Sequence, residues 1–111
     1  MTEDASEVAI VLTTFEAGTA AAIARTLVEE RLVACVNILP PMNSIYRWQG
    51  KIEEDMEEQV MLKTTTDRVP AVAARLQALH PYKLPELLVI NVNAGSEAYL
   101  RWIQDETRPV P

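Results

Sequence analysis

The sequence is poor in the residues that build disulfides, zinc sites and phosphate-binding loops. Cys35 is the single cysteine and His80 the single histidine among 111 residues. No intrachain disulfide can therefore form, and one chain lacks the cysteines and histidines of a closed structural zinc site. Three glycines are too few for a glycine-rich phosphate loop, and neither a nucleophile elbow nor a metalloprotease helix motif occurs. We therefore expect a protein that is not an enzyme.

Long apolar runs and N-terminal basic residues are missing as well. No apolar run approaches the roughly 20 residues that a membrane-spanning helix needs. The residues before the first apolar run include acidic side chains and no basic one, which is unlike the start of a signal peptide. A single cysteine also suits a reducing compartment. We expect a cytoplasmic protein with no membrane partner.

The acidic charge bears on the class of partner. Ten basic residues against sixteen acidic ones give a net charge of −6, which repels nucleic-acid phosphates and anionic membrane surfaces. RNA-recognition domains place aromatic residues on their central strands, whereas the predicted strands here are aliphatic apart from Phe15, Tyr46 and Trp48. We therefore expect no nucleic-acid partner. The charge suits cations, basic partners, or solubility alone.

Hydrophobic periodicity predicts the element order β-α-β-β-α-β followed by a C-terminal helix. The predicted strands cover residues 7–15, 33–48 with a bend, 51–65 and 87–92, and the predicted helices cover 16–31, 67–79 and 96–108. Pro40-Pro41 should bend the second strand without reversing it, because proline has no N–H to donate. Asp67 is the predicted N-cap of the second helix. This order predicts an α+β protein with one ferredoxin-like domain over residues 1–111, an antiparallel sheet and helices on one face.

A long β-hairpin is the most distinctive predicted element. It turns at Gln49-Gly50, and its return strand, residues 51–65, would span about 50 Å if straight, which is too long for so small a domain. Five of the six residues from 53 to 58 are acidic. Either this strand is solvated, or Glu54 or Glu58 meets a cation or a basic side chain of another subunit. The overhang and its exposed edges predict self-association.

Two isolated residues invite both a structural and a functional interpretation. Cys35 lies among apolar neighbours, where a free cysteine packs as a small hydrophobic residue; as a thiolate it would suit a soft metal such as copper. His80 lies at a predicted helix C-terminus, where capping or packing explains it. As a metal ligand, His80 would need partners from distant parts of the chain or from another subunit.

Four segments of the sequence resemble the CutA divalent-cation tolerance proteins. They are Ala34-Cys35-Val36-Asn37-Ile38, the hairpin from Ser44 to Glu53, Leu62-Lys63-Thr64-Thr65 and the loop from His80 to Glu86. The resemblance implies a ferredoxin-like protomer in a homotrimer similar to the PII proteins, with hairpins pairing between subunits. It also implies a role in tolerance to copper and other divalent cations without established catalysis.

The resemblance also implies which residues to consider as site residues. Cys35 and His80 match the family's strand cysteine and loop histidine, and they are the predicted copper ligands. Glu58 is a further metal candidate, and Glu86 is another, although carboxylates suit harder cations better. Three residues match positions that would line an intersubunit cleft and bind a small molecule: Lys63, Tyr82 and Glu86. The leading function is divalent-cation homeostasis with bound copper. The alternatives are a PII-like signalling or adaptor trimer and a scaffold whose effect on metals is indirect.

Overall fold

The computed structural model describes residues 7–109. Residues 1–6, which include acidic residues that precede the first apolar run, and residues 110–111 lie outside this range. The strands are β1 (Val8–Glu16), β2 (Cys35–Ile38), β3 (Met42–Trp48), β4 (Lys51–Thr65) and β5 (Leu88–Asn91). The helices are α1 (Ala20–Glu29), α2 (Val69–Leu79) and α3 (Glu97–Glu106), and a 3-10 turn, Thr66–Arg68, precedes α2.

The strands form one antiparallel sheet in the order β2-β4-β1-β5, and β3 also pairs with β4. The predicted ferredoxin-like arrangement is confirmed. Helices α1 and α2 pack on one face, where Leu27 and Leu76 join Val11, Phe15 and Leu62 in the main core cluster. Burial of each such side chain stabilises the fold by about 1.5–3 kcal/mol.

Helix α3 packs on the opposite face of the sheet, so the prediction of helices on one face holds for α1 and α2 and is wrong for α3. Its residues Leu100 and Ile103 form a second buried cluster with Val8 of β1. Side chains alternate between the two faces along β1, so Val8 points away from the face that α1 and α2 cover. Ser96 caps α3 by accepting a hydrogen bond from the Tyr99 backbone N–H at 3.3 Å. Helix α3 therefore covers one end of the second face and leaves the end beneath the hairpin open.

The proline pair produces the predicted bend between β2 and β3. Ile38 pairs with Val60, and Met42 pairs with Glu57. The chain therefore advances four residues from β2 to β3 while β4 advances only three. The extra residue is a β-bulge at residues 39–41, where the prolines cannot donate ladder hydrogen bonds. Strand β4 itself continues without interruption, so its alternation of faces holds along its whole length.

The hairpin has the predicted turn and register. Gln49 and Gly50 adopt φ values of 50° and 80°, the left-handed conformations of a type I′ turn. Arg47 pairs with Ile52, as the two-residue turn requires. At the far end of the hairpin, Ile45 is 64% and Ile52 61% exposed, so an apolar patch faces away from the core of this chain.

The prediction that Asp67 caps α2 is wrong. Arg68 occupies the N-cap position, and Asp67 lies in the preceding 3-10 turn. Its carboxylate instead accepts hydrogen bonds from Arg108 Nη1 at 2.7 Å and Thr65 Oγ1 at 2.6 Å. These bonds hold the pKa of Asp67 well below its usual range and tie the end of β4 to the segment after α3. A local capping rule could not anticipate a partner 41 residues away.

Candidate functional site: a groove beneath the hairpin

A groove of about 1060 Å³ lies on the open end of the second sheet face. Its floor comes from β1 and β4, one wall from β3, and the other from the loop between α2 and β5. The groove exists because β4 extends beyond the helices, so the sheet there lacks a covering helix, while residues 82–86 curve over its edge. A concave surface of this size suits a small ligand.

The floor of the groove holds a buried carboxylate. Glu57 is only 8% exposed, and its Oε2 accepts a hydrogen bond from the Tyr82 hydroxyl at 2.7 Å. Burial and this carboxylate raise the pKa of Tyr82 well above its usual range. Tyr82 is therefore a neutral, permanent donor to Glu57, and this bond joins the loop to the middle of β4.

Two further pairs in the groove repeat the same pattern. Gln59 Nε2 donates to Glu86 Oε2 at 2.8 Å and to the Thr13 carbonyl at 2.9 Å. The Tyr46 hydroxyl donates to the Asp55 carboxylate, and this bond raises the pKa of Tyr46 to about 12. Each of these donors is thus committed to an acceptor within the same chain.

His80 holds one end of the groove loop in place. It is 8% exposed, and its ring stacks on Phe15 with centroids 4.2 Å apart. The Tyr82 backbone N–H donates to Nδ1 at 3.1 Å, and Nε2 lies 2.7 Å from the Thr14 carbonyl. These partners assign the neutral tautomer with the proton on Nε2. Both ring nitrogens therefore already have partners in one chain.

Glu58 faces the helix side of β4 and caps α1. Its Oε1 accepts hydrogen bonds from the Gly18 N–H at 2.9 Å and the Ala20 N–H at 3.3 Å. The first N–H groups of a helix lack partners within the helix and carry partial positive charge. A carboxylate that accepts from two backbone donors there stabilises the helix, so Glu58 has a structural role in this chain.

We expect Glu58→Ala to lower the free energy of unfolding by about 1–2 kcal/mol, because two donors at the start of α1 lose their acceptor. Chemical denaturation at a fixed protein concentration measures this loss. Glu29→Ala, at the exposed C-terminal end of the same helix, is the matched control and should change the stability by less than about 0.5 kcal/mol. Equal effects of the two substitutions would contradict the capping role.

The remaining predicted residues lie apart from the groove. Cys35 begins β2 and is partly exposed, and its Sγ makes only a weak contact of 3.9 Å with Asn37 Oδ1. Lys63 pairs with Cys35 across the sheet and donates to the Tyr99 hydroxyl at 3.2 Å. Of the predicted cleft residues, Tyr82 and Glu86 thus line the groove, and Lys63 does not.

The structure does not bring the predicted metal residues together. Glu58 caps α1, His80 packs beneath the groove loop, and Cys35 lies on β2. Among residues 7–109, no group of three or more histidine, cysteine, aspartate or glutamate side chains is arranged to hold a metal ion. In the same part of the chain, no helix is long and apolar enough to span a membrane.

Sequence reasoning did not select the buried floor of the groove. Glu57 and Gln59 lie on the face of β4 opposite Glu58, and their acidic surroundings indicated a solvated strand. The useful signal was the alternation of side chains along β4. Glu57 and Gln59 share one face of the strand with Asp55, and the core residues Val60 and Leu62 lie on the other face. The partner of Glu57, Tyr82, comes from a loop 25 residues away, which a strand pattern cannot reveal.

Three comparisons with known proteins agree on one family. The family model described as CutA1 divalent ion tolerance protein matches residues 8–106. The divalent-cation tolerance protein CutA of Thermus thermophilus is 45% identical over 91% of this chain and 98% of its own length, and its structure superposes with a TM-score of 0.87. The mouse protein CutA is 46% identical over 79% of this chain, which spans only 50% of the mouse protein.

A further solved structure has a similar fold. It is described as the PII-like protein CutA from Nostoc sp. PCC 7120 in apo form. It is 40% identical, covers 90% of this chain and 97% of its own, and has a TM-score of 0.85.

Proposed function

Because this chain belongs to the CutA1 divalent ion tolerance protein family, we propose that it serves in tolerance to divalent cations, with copper as the first metal to test. The family match over residues 8–106 carries this proposal. In this proposal the protein acts without catalysis, as a homotrimer in the cytoplasm. Its single cysteine suits that reducing compartment.

The proposed homotrimer is supported by apolar surface that this chain leaves exposed. Ile45 and Ile52 project from the hairpin, and the edge strand β5 exposes Leu88, Val89 and Ile90. An unpaired edge strand and an overhanging hairpin both offer backbone groups and apolar side chains to another chain. The similarity to a protein described as PII-like also supports assembly into an oligomer.

The residues of one chain do not fit a closed copper site. Both nitrogens of His80 are engaged, and Glu58 accepts two backbone hydrogen bonds. Cys35 is the predicted ligand with the weakest internal contact, and a thiolate suits copper best of the three residue types. Of the predicted ligands Cys35, His80 and Glu58, Cys35 is therefore the first to test, and His80 and Glu58 would bind copper only by giving up these hydrogen bonds.

Isothermal titration of copper into the wild type, Cys35→Ala and His80→Ala tests direct binding. We expect saturable binding to the wild type and at least about tenfold weaker binding to Cys35→Ala, because the soft ligand is lost. Asn37→Ala, which removes only the weak contact of the thiol, is the control. Unchanged stoichiometry and affinity in both variants would remove Cys35 and His80 from the site. Absence of binding to the wild type would leave an indirect, scaffold role in tolerance.

The groove favours a second candidate function, a PII-like sensor or adaptor that binds a small molecule between subunits. Tyr82 and Glu86 line the groove, and Lys63 would act from another position in the assembly. A thermal-shift screen of nucleotides, organic anions and organic cations tests this role, since a ligand of the native state raises its stability by mass action. No shift at saturating concentrations across the whole screen would count against it.

A further inference from the structure

We propose that the groove beneath the hairpin binds a small organic cation carrying ammonium or guanidinium groups, rather than a bare metal ion or an anion. This inference rests on the proposed small-molecule role and names its ligand class. The groove is defined by Glu57 and Gln59 on its floor, Tyr46 on one wall, and Tyr82 and Glu86 on the other.

The direction of the hydrogen bonds in the groove favours a ligand that carries donors. Tyr82 donates to Glu57, Tyr46 donates to Asp55, and Gln59 donates both to Glu86 and to a backbone carbonyl. Tyr46, Gln59 and Tyr82 therefore use their donors within the chain, on the carboxylates of Asp55, Glu86 and Glu57. Each carboxylate has one oxygen in such a bond and still has acceptor capacity on the other. A ligand that brings donors therefore finds acceptors on these carboxylates.

The charge of the groove lining also favours a cation. Four carboxylates line the groove, from Glu16, Asp55, Glu57 and Glu86. Glu16, Asp55 and the two basic lining residues, Arg47 and Lys83, are exposed, whereas Glu57 on the floor is 8% exposed and Glu86 is half-buried. A buried carboxylate is costly unless donors or a counter-charge compensate it. The potential inside the groove therefore favours a cation and opposes a phosphate or a carboxylate ligand.

The spacing of the groove carboxylates suits an organic cation better than a metal ion. A divalent ion requires several ligand oxygens converging at about 2–2.6 Å, and no such group is formed by the described residues. An extended cation with two charged ends can bridge separate carboxylates. The walls also present the aromatic rings of Tyr46 and Trp48, whose faces attract ammonium and guanidinium groups.

The test uses spermidine and agmatine as probes and the full-length wild-type protein in its native assembly, in isothermal titration at moderate salt. We expect saturable binding near one probe per chain. Glu57→Gln keeps an acceptor for Tyr82 but removes the charge, and should weaken binding about tenfold or more. Glu86→Gln is a second variant with the same expectation, which keeps the test valid if the buried substitution impairs folding. Glu29→Gln removes an equal charge from α1 and should leave binding unchanged.

Three results would overturn the organic-cation site. One is the absence of saturable binding to the native assembly, including the case in which a neighbouring subunit fills the groove. Another is equal weakening by Glu29→Gln and Glu57→Gln, which would reveal diffuse attraction to an acidic protein. The third is a thermal shift with nucleotides or organic anions and none with the two probes. In that case the sensor role stands and only the ligand class falls.

Discussion

The double substitution Ile45→Asp, Ile52→Asp should convert the protein from a particle of about three times the 12.4 kDa chain mass to a monomer. The two side chains are diagonal neighbours on one face of the hairpin, and both are more than 60% exposed in the single chain. Burying them between subunits would contribute about 2 kcal/mol each, so their loss should weaken association by roughly a thousandfold or more. New carboxylates next to Glu54 add repulsion at the same contact.

Light scattering coupled to size exclusion measures this change. Val28→Asp provides the matched control, because Val28 is also an exposed aliphatic residue, at 41%, but lies on α1. The control should keep the mass of the wild type. A hairpin variant that stays trimeric, or a wild type that is monomeric at micromolar concentration, would contradict assembly through the hairpin.

His80→Ala should lower the free energy of unfolding by about 3 kcal/mol in buffer that contains a chelator. The substitution removes the ring that stacks on Phe15 and leaves a buried space beside it. It also removes the partners of the Thr14 carbonyl and of the Tyr82 N–H. The groove loop should loosen as a result, because His80 anchors the end from which Tyr82 reaches Glu57.

Denaturant unfolding at a fixed protein concentration is the measurement, since assembly makes stability depend on concentration. Gln77→Ala, on the exposed side of α2, should cost less than about 0.5 kcal/mol. If His80→Ala is as stable as the wild type without metal and differs only when copper is present, the histidine is a ligand and its structural role is refuted.

The fold follows from local patterns to a large extent. The type I′ turn at Gln49-Gly50 permits one register, so the pairing of Arg47 with Ile52 could be predicted from the sequence alone. Pro40-Pro41 marked the bend because proline interrupts a ladder wherever it occurs. The prediction that Asp67 caps α2 was wrong because it depended on a distant residue. Arg108 lies far along the chain and binds the carboxylate that would have capped the helix.

The site was less accessible to sequence reasoning than the fold. A family resemblance selected Tyr82 and Glu86, which do line the groove. The partner of Tyr82 is Glu57, which looked like one more charge on a solvated strand. Its burial depends on the loop and on β3 closing over the same part of β4, a tertiary effect that no local pattern contains. Glu58 could be placed on the helix side by parity, but its contact with Gly18 depends on how α1 begins.

In our proposal, this chain serves in divalent-cation tolerance as an assembled protein. The most direct test of this role is the growth of a copper-sensitive strain that lacks its own member of the family. Growth is measured over a range of copper concentrations. The strain carries the wild type, the Ile45→Asp, Ile52→Asp variant or an empty vector, with equal protein levels verified. We predict that the wild type restores growth in copper and that the hairpin variant does not. A strain that remains as copper-sensitive with the wild type as with the empty vector would contradict this role.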